Sequence, residues 1–232
     1  MTAPSAAERG RQKRAVAARA VEEVADGMVV GLGSGSTAEF ALEALAQRVA
    51  QGLRIAAIPT SGHIGALARQ LGVPLTSFAE HRRIDLTIDG ADEVERGTLD
   101  LIKGLGGALL HEKIVAAASA RMIVIVDQSK LVVRLGTHVP LPVEIVSFGW
   151  QTVLDRLSGV GAMPTLRRVG EEPFVTDGGN YIADCAFSAI PDPAALAIQL
   201  AGLTGVVESG LFIGLATTVM VGGESGIDVL ER

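Results

Sequence analysis

Cysteine, tryptophan and tyrosine each occur once in 232 residues, and aromatic side chains make up only 3% of the chain. A lone Cys185 excludes a framework of internal disulfides and suits a reducing compartment, so a cytoplasmic location is expected. Long apolar runs are missing too. The most apolar stretch, IVAAASARMIVIV, carries Arg121 in its middle and falls short of the roughly 18 residues that a spanning helix needs. The opening segment MTAPSAAERGRQKRAV is basic but lacks the apolar core of a signal peptide. A net charge of −6 argues against the dominant basic surface of a nonspecific nucleic-acid binder. The short basic cluster Arg9–Arg14 reads as the solvated face of a first helix.

What is abundant is small and aliphatic. Hydrophobic residues reach 48%, with 28 glycines, as expected of a parallel sheet buried on both faces. Residues 5–25, with Val16, Ala20 and Val24 on one stripe, predict an amphipathic helix. Met28–Leu32 predicts a strand, followed by a helix with Leu42, Leu45 and Val49 in line. Arg54–Ile58 predicts a second strand, with a helix over about Ser61–Leu71. Ile84–Ile88 and the MIVIV segment at 122–126 predict two more strands, the latter after an apolar helix. Strands alternating with helices indicate a parallel sheet with helices on both faces. Beyond about Gly136 the rhythm becomes β-α-β-β-α-β, the split ferredoxin-like unit, closing with a strand over Val206–Phe212. ATTVMVG at 216–222 predicts a strand returning to the first sheet. The expected architecture is α/β, a Rossmann-like mostly parallel sheet domain (1–136 plus 208–232) with a smaller ferredoxin-like α+β domain (137–207).

Ligands of open α/β sheets bind beyond the carboxyl ends of strands, and three segments expected there carry chemistry. GLGSGST at 31–37 fails the dinucleotide fingerprint, because the final glycine falls at Ser36 and the second strand ends without an acidic residue. It lacks the lysine of a P-loop. What remains is a run of backbone N–H groups flanked by the hydroxyls of Ser34, Ser36 and Thr37, suited to one anion such as a sugar phosphate. The plainer alternative is a tight turn with Thr37 as N-cap.

The second segment is DGADE, with Asp89 and Asp92 past the third strand. A metal site needs more hard ligands, and His81 and His111 lack ligand spacing, so no metal is expected. A turn in which each aspartate bonds its own backbone is the alternative. The third is KGLGGALLHEKI at 103–114. Its glycines allow close backbone approach, Lys103 brings a positive charge, and Glu112 falls near the start of the next helix, where it would also complement the helix dipole.

Taken together these residues resemble the type A ribose-5-phosphate isomerase family. The resemblance runs through GLGSGSTA (31–38), DGADE (89–93), KG-x-GGAL-x-x-EKI (103–114), DQSK (127–130), LPVE (141–144), VTDGGN (175–180) and GLF (210–212), nearly the whole chain in order. It implies an aldose-ketose isomerase acting on ribose 5-phosphate without cofactor or metal. Glu112 would be the general base, with Asp89, Asp92 and Lys103 completing the catalytic set. It implies that Ser34, Gly35, Ser36 and Thr37 line the substrate site, together with Gly90 and Ala91 between the aspartates, Gly104, Leu105 and Gly106 after the lysine, and Lys130. Lys13 would reach the phosphate from the first helix, with Arg11 and Arg14 close by as competitors. A homodimer is expected, a tetramer being the alternative, with no nucleic-acid or membrane partner. The chain departs from the family pattern at Leu105, commonly glycine, at Leu110-His111, and in IGLATT after GLF.

Two rivals come from other classes. A non-catalytic sugar-phosphate sensor of a transcription regulator would carry a helix-turn-helix, for which the 27 residues before the first strand are too few. A CoA transferase would use a glutamate nucleophile but would need a longer chain.

Overall fold

The computed structural model describes residues 6–224 and 226–232, and the chain divides into two compact units. The first takes in the chain up to Ala91, Ile114–Lys130 and Leu215–Arg232; the second holds Asp92–Lys113 and Leu131–Gly214.

The first unit is built on a six-stranded sheet. Val29–Leu32 runs parallel to Ala56–Pro59 on one side and Ile84–Asp89 on the other. Ile84–Asp89 then pairs in parallel with Ser119–Asp127, and that strand with Thr218–Gly223. Ile123, Val124 and Ile125 are fully buried in succession, which requires cover on both faces and explains why this strand reads as a continuous apolar run. Gly226–Glu231 adds an antiparallel edge that the sequence reading does not contain.

The helix expected over 5–25 runs Ala6–Val21; residue 5 lies outside the described residues. Arg48 Nη1 donates to the carbonyl oxygens of Val21, at 2.5 Å, and Val24, at 2.9 Å, satisfying acceptors where the helix ends. Val16, Ala17 and Ala20 are fully buried in one core with Leu42, Leu45, Ile64, Leu86 and Ile125. The helix lies so near the strand Thr218–Gly223 that a Cβ on Gly222 would come 2.9 Å from the Gln12 carbonyl oxygen. Gly31 has the same role inside the sheet, where a Cβ would meet Thr87 Oγ1 at 2.0 Å.

The second unit contains a four-stranded antiparallel sheet in the order Val206–Ser209, Leu141–Ile145, Tyr181–Ala186, Met163–Leu166. With the helices Trp150–Gly159 and Pro193–Ala201, it realises the β-α-β-β-α-β pattern. Val143, Ile145, Leu157, Ala183 and Cys185 form its fully buried centre. The strand expected over Val206–Phe212 is in fact two, because Gly210 breaks it. The Gly210 amide donates to Pro142 O at 2.7 Å, and its carbonyl accepts from the Lys103 amide at 2.9 Å. Leu211–Phe212 therefore leaves the sheet and pairs with Leu101–Ile102 in a separate four-stranded sheet that includes Glu93–Glu95 and Leu131–Val132. Likewise the segment 163–169 is interrupted at Arg167, after which Arg168–Val169 pairs with Glu172–Pro173 in a hairpin of its own.

Candidate active site

In the first unit, the loop 33–35 leaves the strand Val29–Leu32 and opens the helix Ser36–Ala50. The N-cap is Gly35, at φ 95°, and no side chain caps the helix, so the alternative reading of Thr37 as cap does not hold. Glycine is needed there because that φ strains any side-chain-bearing residue. The first-turn N–H groups of such a helix, with its dipole, attract an anion.

Asp89, fully buried at the end of Ile84–Asp89, holds the loop from below. Its Oδ1 accepts the amides of Ser34 at 3.1 Å and Gly90 at 2.7 Å. A Cβ on Gly33 would come 2.2 Å from the same oxygen. The Ser34 hydroxyl lies 2.7 Å from Thr60 Oγ1 and donates to Ser61 Oγ at 3.1 Å, so its orientation is set by neighbouring hydroxyls. Lys13 donates to Ser36 Oγ at 2.9 Å, whereas Arg14 pairs with Glu43 at 3.3 Å and stacks over Phe40. Arg11 faces a wide surface cavity with Glu8 and Gln12. Ala91 is half-buried, and so is Lys130, which closes the single turn Gln128–Lys130 after the strand Ser119–Asp127.

The second unit brings together Asp92, Lys103, Gly104, Leu105, Gly106 and Glu112. Lys103 follows Leu101–Ile102 of the small four-stranded sheet, rather than a strand of the parallel sheet as expected. Glu112 falls in the first turn of the helix Leu109–Ala117. Lys103 Nζ lies 3.3 Å from Glu112 Oε1, with 3% and 6% of the two side chains exposed. Asp92 Oδ2 accepts the Leu105 amide at 2.9 Å. Gly104, at φ 105°, turns the chain under Leu109, whose Cβ would be 2.7 Å from a Cβ at 104. Gly106 is exposed.

A fully buried Phe212 ring lies within cation–π range of two ammonium groups, 5.6 Å from Lys103 Nζ and 5.1 Å from Lys113 Nζ. Burial pulls the Lys113 ammonium below the ordinary lysine range, more than the Glu208 carboxylate at 2.7 Å pushes it up. Among the described residues, no group of three or more His, Cys, Asp or Glu is arranged to hold a metal ion. No described helix is long and apolar enough to cross a membrane.

The sequence model of ribose 5-phosphate isomerase A (phosphoriboisomerase A) matches residues 56–226. The curated ribose-5-phosphate isomerase A of Gloeobacter violaceus is 57% identical over 218 residues, covering 94% of this chain and 95% of its own. The chain belongs to the ribose 5-phosphate isomerase A family. The Synechococcus protein of the same name is 53% identical, over 95% of this chain and 96% of its own. The solved ribose 5-phosphate isomerase A of Methanocaldococcus jannaschii superposes with a TM-score of 0.92 at 39% identity, over 96% of this chain and 99% of its own. A D-ribose-5-phosphate isomerase solved in complex with phospho-erythronic acid also reaches 0.92, at 37% identity, over 96% and 98% of the two chains.

Against this family, the departures at 105 and 111 are accommodated. Leu105 is not among the residues with positive φ, so a side chain costs no backbone strain, and it stands 38% exposed. His111 lines a small cavity with Glu144, Thr176 and Asp177. The motif glutamates outside the expected catalytic set have structural work. Glu93 accepts the amides of Gly136, His138 and Val139 at 2.6, 2.6 and 3.1 Å. Glu144 Oε1 accepts from Thr176 Oγ1 and Asn180 Nδ2, both at 2.9 Å, tying LPVE to VTDGGN. Sequence reasoning missed Arg167, which bonds the carbonyls of Gly104 and Leu105. The available signal was Asp184, a lone charge inside the apolar strand YIADCA, which calls for a cationic partner.

Proposed function

We propose that the chain interconverts D-ribose 5-phosphate and D-ribulose 5-phosphate in the non-oxidative pentose phosphate pathway, through an enediolate, with Glu112 as general base. Family membership supplies the substrate and the reaction. The observation that carries the residue assignment is the buried Lys103–Glu112 pair at 3.3 Å. A carboxylate next to an ammonium in a water-poor setting keeps a base and a cation ready without solvent reorganisation.

From the open-chain aldose, Glu112 takes the proton on C2 as the electron pair moves toward the C1 carbonyl oxygen. The same carboxyl returns a proton to C1, while O1 gains and O2 loses a proton. A positioned base contributes about 10²–10⁴-fold. Lys103 stabilises charge on the enediolate oxygens, a contribution of about 3 kcal/mol for such a donor. Asp89 and Asp92 handle hydroxyl protons in ring opening and between O1 and O2. The loop Ser34–Thr37 and Lys13 are assigned to the phosphate, with Gly90, Ala91, Gly104, Leu105, Gly106 and Lys130 lining the substrate. Binding energy from the non-reacting phosphate orients the reacting carbons. No redox step occurs, and no cofactor is assigned.

Cytoplasmic location and a homodimer belong to the same proposal. The first is supported by the lone cysteine, the second by Phe148 and Ile198, which stand 93% and 77% exposed and are candidates for cover by a second copy. Sedimentation at micromolar concentration reads the state directly.

The test of function is incubation with ribose 5-phosphate in D₂O with EDTA, followed by NMR. Ribulose 5-phosphate carrying deuterium at C1 is the expected result. Product without label removes an exchanging carboxylate from the mechanism. Saturable binding without product replaces the isomerase with a sensor.

A further inference from the structure

Arg167 stands at the break between two strands of the second unit, with every edge of its guanidinium in use. Nε donates to Asp184 Oδ2 at 2.8 Å and Nη2 to Asp184 Oδ1. Nη1 donates to the carbonyl oxygens of Gly104 at 3.0 Å and Leu105 at 2.9 Å. Asp184 lies opposite Thr165 in the four-stranded sheet, so the fork is anchored in a regular ladder. Phe174 backs the guanidinium at 5.8 Å, and its ring fills the space a Cβ on Gly107 would take, 2.4 Å away.

The carbonyl of Gly104 and the amide of Leu105 belong to one peptide group. Its oxygen is held by Arg167, and its N–H is given to Asp92 Oδ2 at 2.9 Å. A peptide group is rigid and planar, so turning it breaks both bonds together. Without the fork such a turn is easy, because Gly104 at φ 105° tolerates backbone conformations closed to other residues. This peptide directly follows Lys103.

We propose that Arg167 is a positioning residue of the isomerase: it locks the Gly104–Leu105 peptide, and through it the Asp92 carboxylate. The proposal rests on the functional reading above, in which Asp92 handles hydroxyl protons. Arginine is required because its planar fork meets a carboxylate edge-on and still presents a third nitrogen to the two carbonyls. A lysine ammonium reaches Asp184 or the carbonyls but does not reproduce the set.

The test compares Arg167→Ala and Arg167→Lys for kcat, KM and melting temperature. In Arg167→Ala, kcat is expected to fall roughly 10- to 100-fold, as a displacement of about 1 Å produces, with KM for ribose 5-phosphate moving less than about threefold. Arg167→Lys is expected to recover melting temperature through its pair with Asp184, yet to keep the low kcat. A lysine variant that regains kcat and melting temperature together overturns the proposal, and so does an alanine variant with wild-type kcat. If the alanine variant fails to fold, Arg167→Lys and Asp184→Asn decide by the same comparison. If the wild-type protein itself does not isomerise, the function falls, and hydrogen exchange at the Leu105 amide still decides the lock: it accelerates in Arg167→Lys or the lock is absent.

Discussion

Lys103 Nζ and Glu112 Oε1 lie 3.3 Å apart with almost none of either side chain exposed. Two opposite charges taken out of water depend on each other, since the loss of one leaves the other desolvated and uncompensated. Under the proposed mechanism the pair links catalysis to stability, and changes at its two ends have different consequences.

Glu112→Gln keeps the shape and removes the proposed base. Turnover is expected to drop by about 10²–10⁴-fold, while the affinity for ribose 5-phosphate, read by calorimetry, stays close to wild type. Full turnover in this variant removes Glu112 from the role of base.

Lys103→Met strands the Glu112 carboxylate. Urea denaturation is expected to show a loss of about 3 kcal/mol. Combining Lys103→Met with Glu112→Leu is expected to restore part of that loss, as coupled sites do. An additive double variant means the two groups do not stabilise each other.

Glu93→Gln places an amide NH₂ group where three backbone N–H groups converge. One charge-assisted bond contributes about 1.5–3 kcal/mol, and a loss in that range is expected by thermal denaturation, together with faster hydrogen exchange at Gly136 and His138. Wild-type exchange at those amides defeats the assignment.

Gly33→Ala drives a methyl group to 2.2 Å from Asp89 Oδ1. The loop must move away, and KM for ribose 5-phosphate is expected to rise roughly 10-fold. An unchanged KM shows that the loop does not hold the substrate.

Burial, helped by the nearby Asp184 carboxylate, pushes the Cys185 thiol up to about 12. The folded chain thus keeps its proton where an unfolded thiol, near about 8.5, loses it. This contribution to stability is fully present below the unfolded value and is lost as pH rises toward the folded one, because in that window the native state binds more protons. Denaturation midpoints are expected to fall between pH 9 and 12, less steeply in Cys185→Ala. At pH 8 a thiol reagent is expected to modify Cys185 only at the rate of opening; rapid modification of the native protein contradicts the buried site.

Much of this was legible in the chain. Ile123–Val126 announced a strand covered on both faces, and GLGSGST announced the turn that joins the strand Val29–Leu32 to the helix Ser36–Ala50. The break at Gly210 was not legible, because VVESGLF reads as one strand until the Lys103 carbonyl oxygen is seen 2.2 Å from the missing Cβ. Nor was the N-cap: Thr37 suits that position by type, yet Gly35 occupies it because the chain must turn at φ 95°.

The sequence by itself determined the alternation of elements, the family and the identity of the charged residues, since periodicity and short motifs are properties of neighbours along the chain. Only the tertiary structure decided what those charges do. Glu93 and Glu112 are both buried glutamates in family motifs, but three amides surround one and an ammonium faces the other. Arg167 reaches Gly104 across 63 positions of sequence. Such pairings depend on desolvation and contact, which arise when the chain closes on itself.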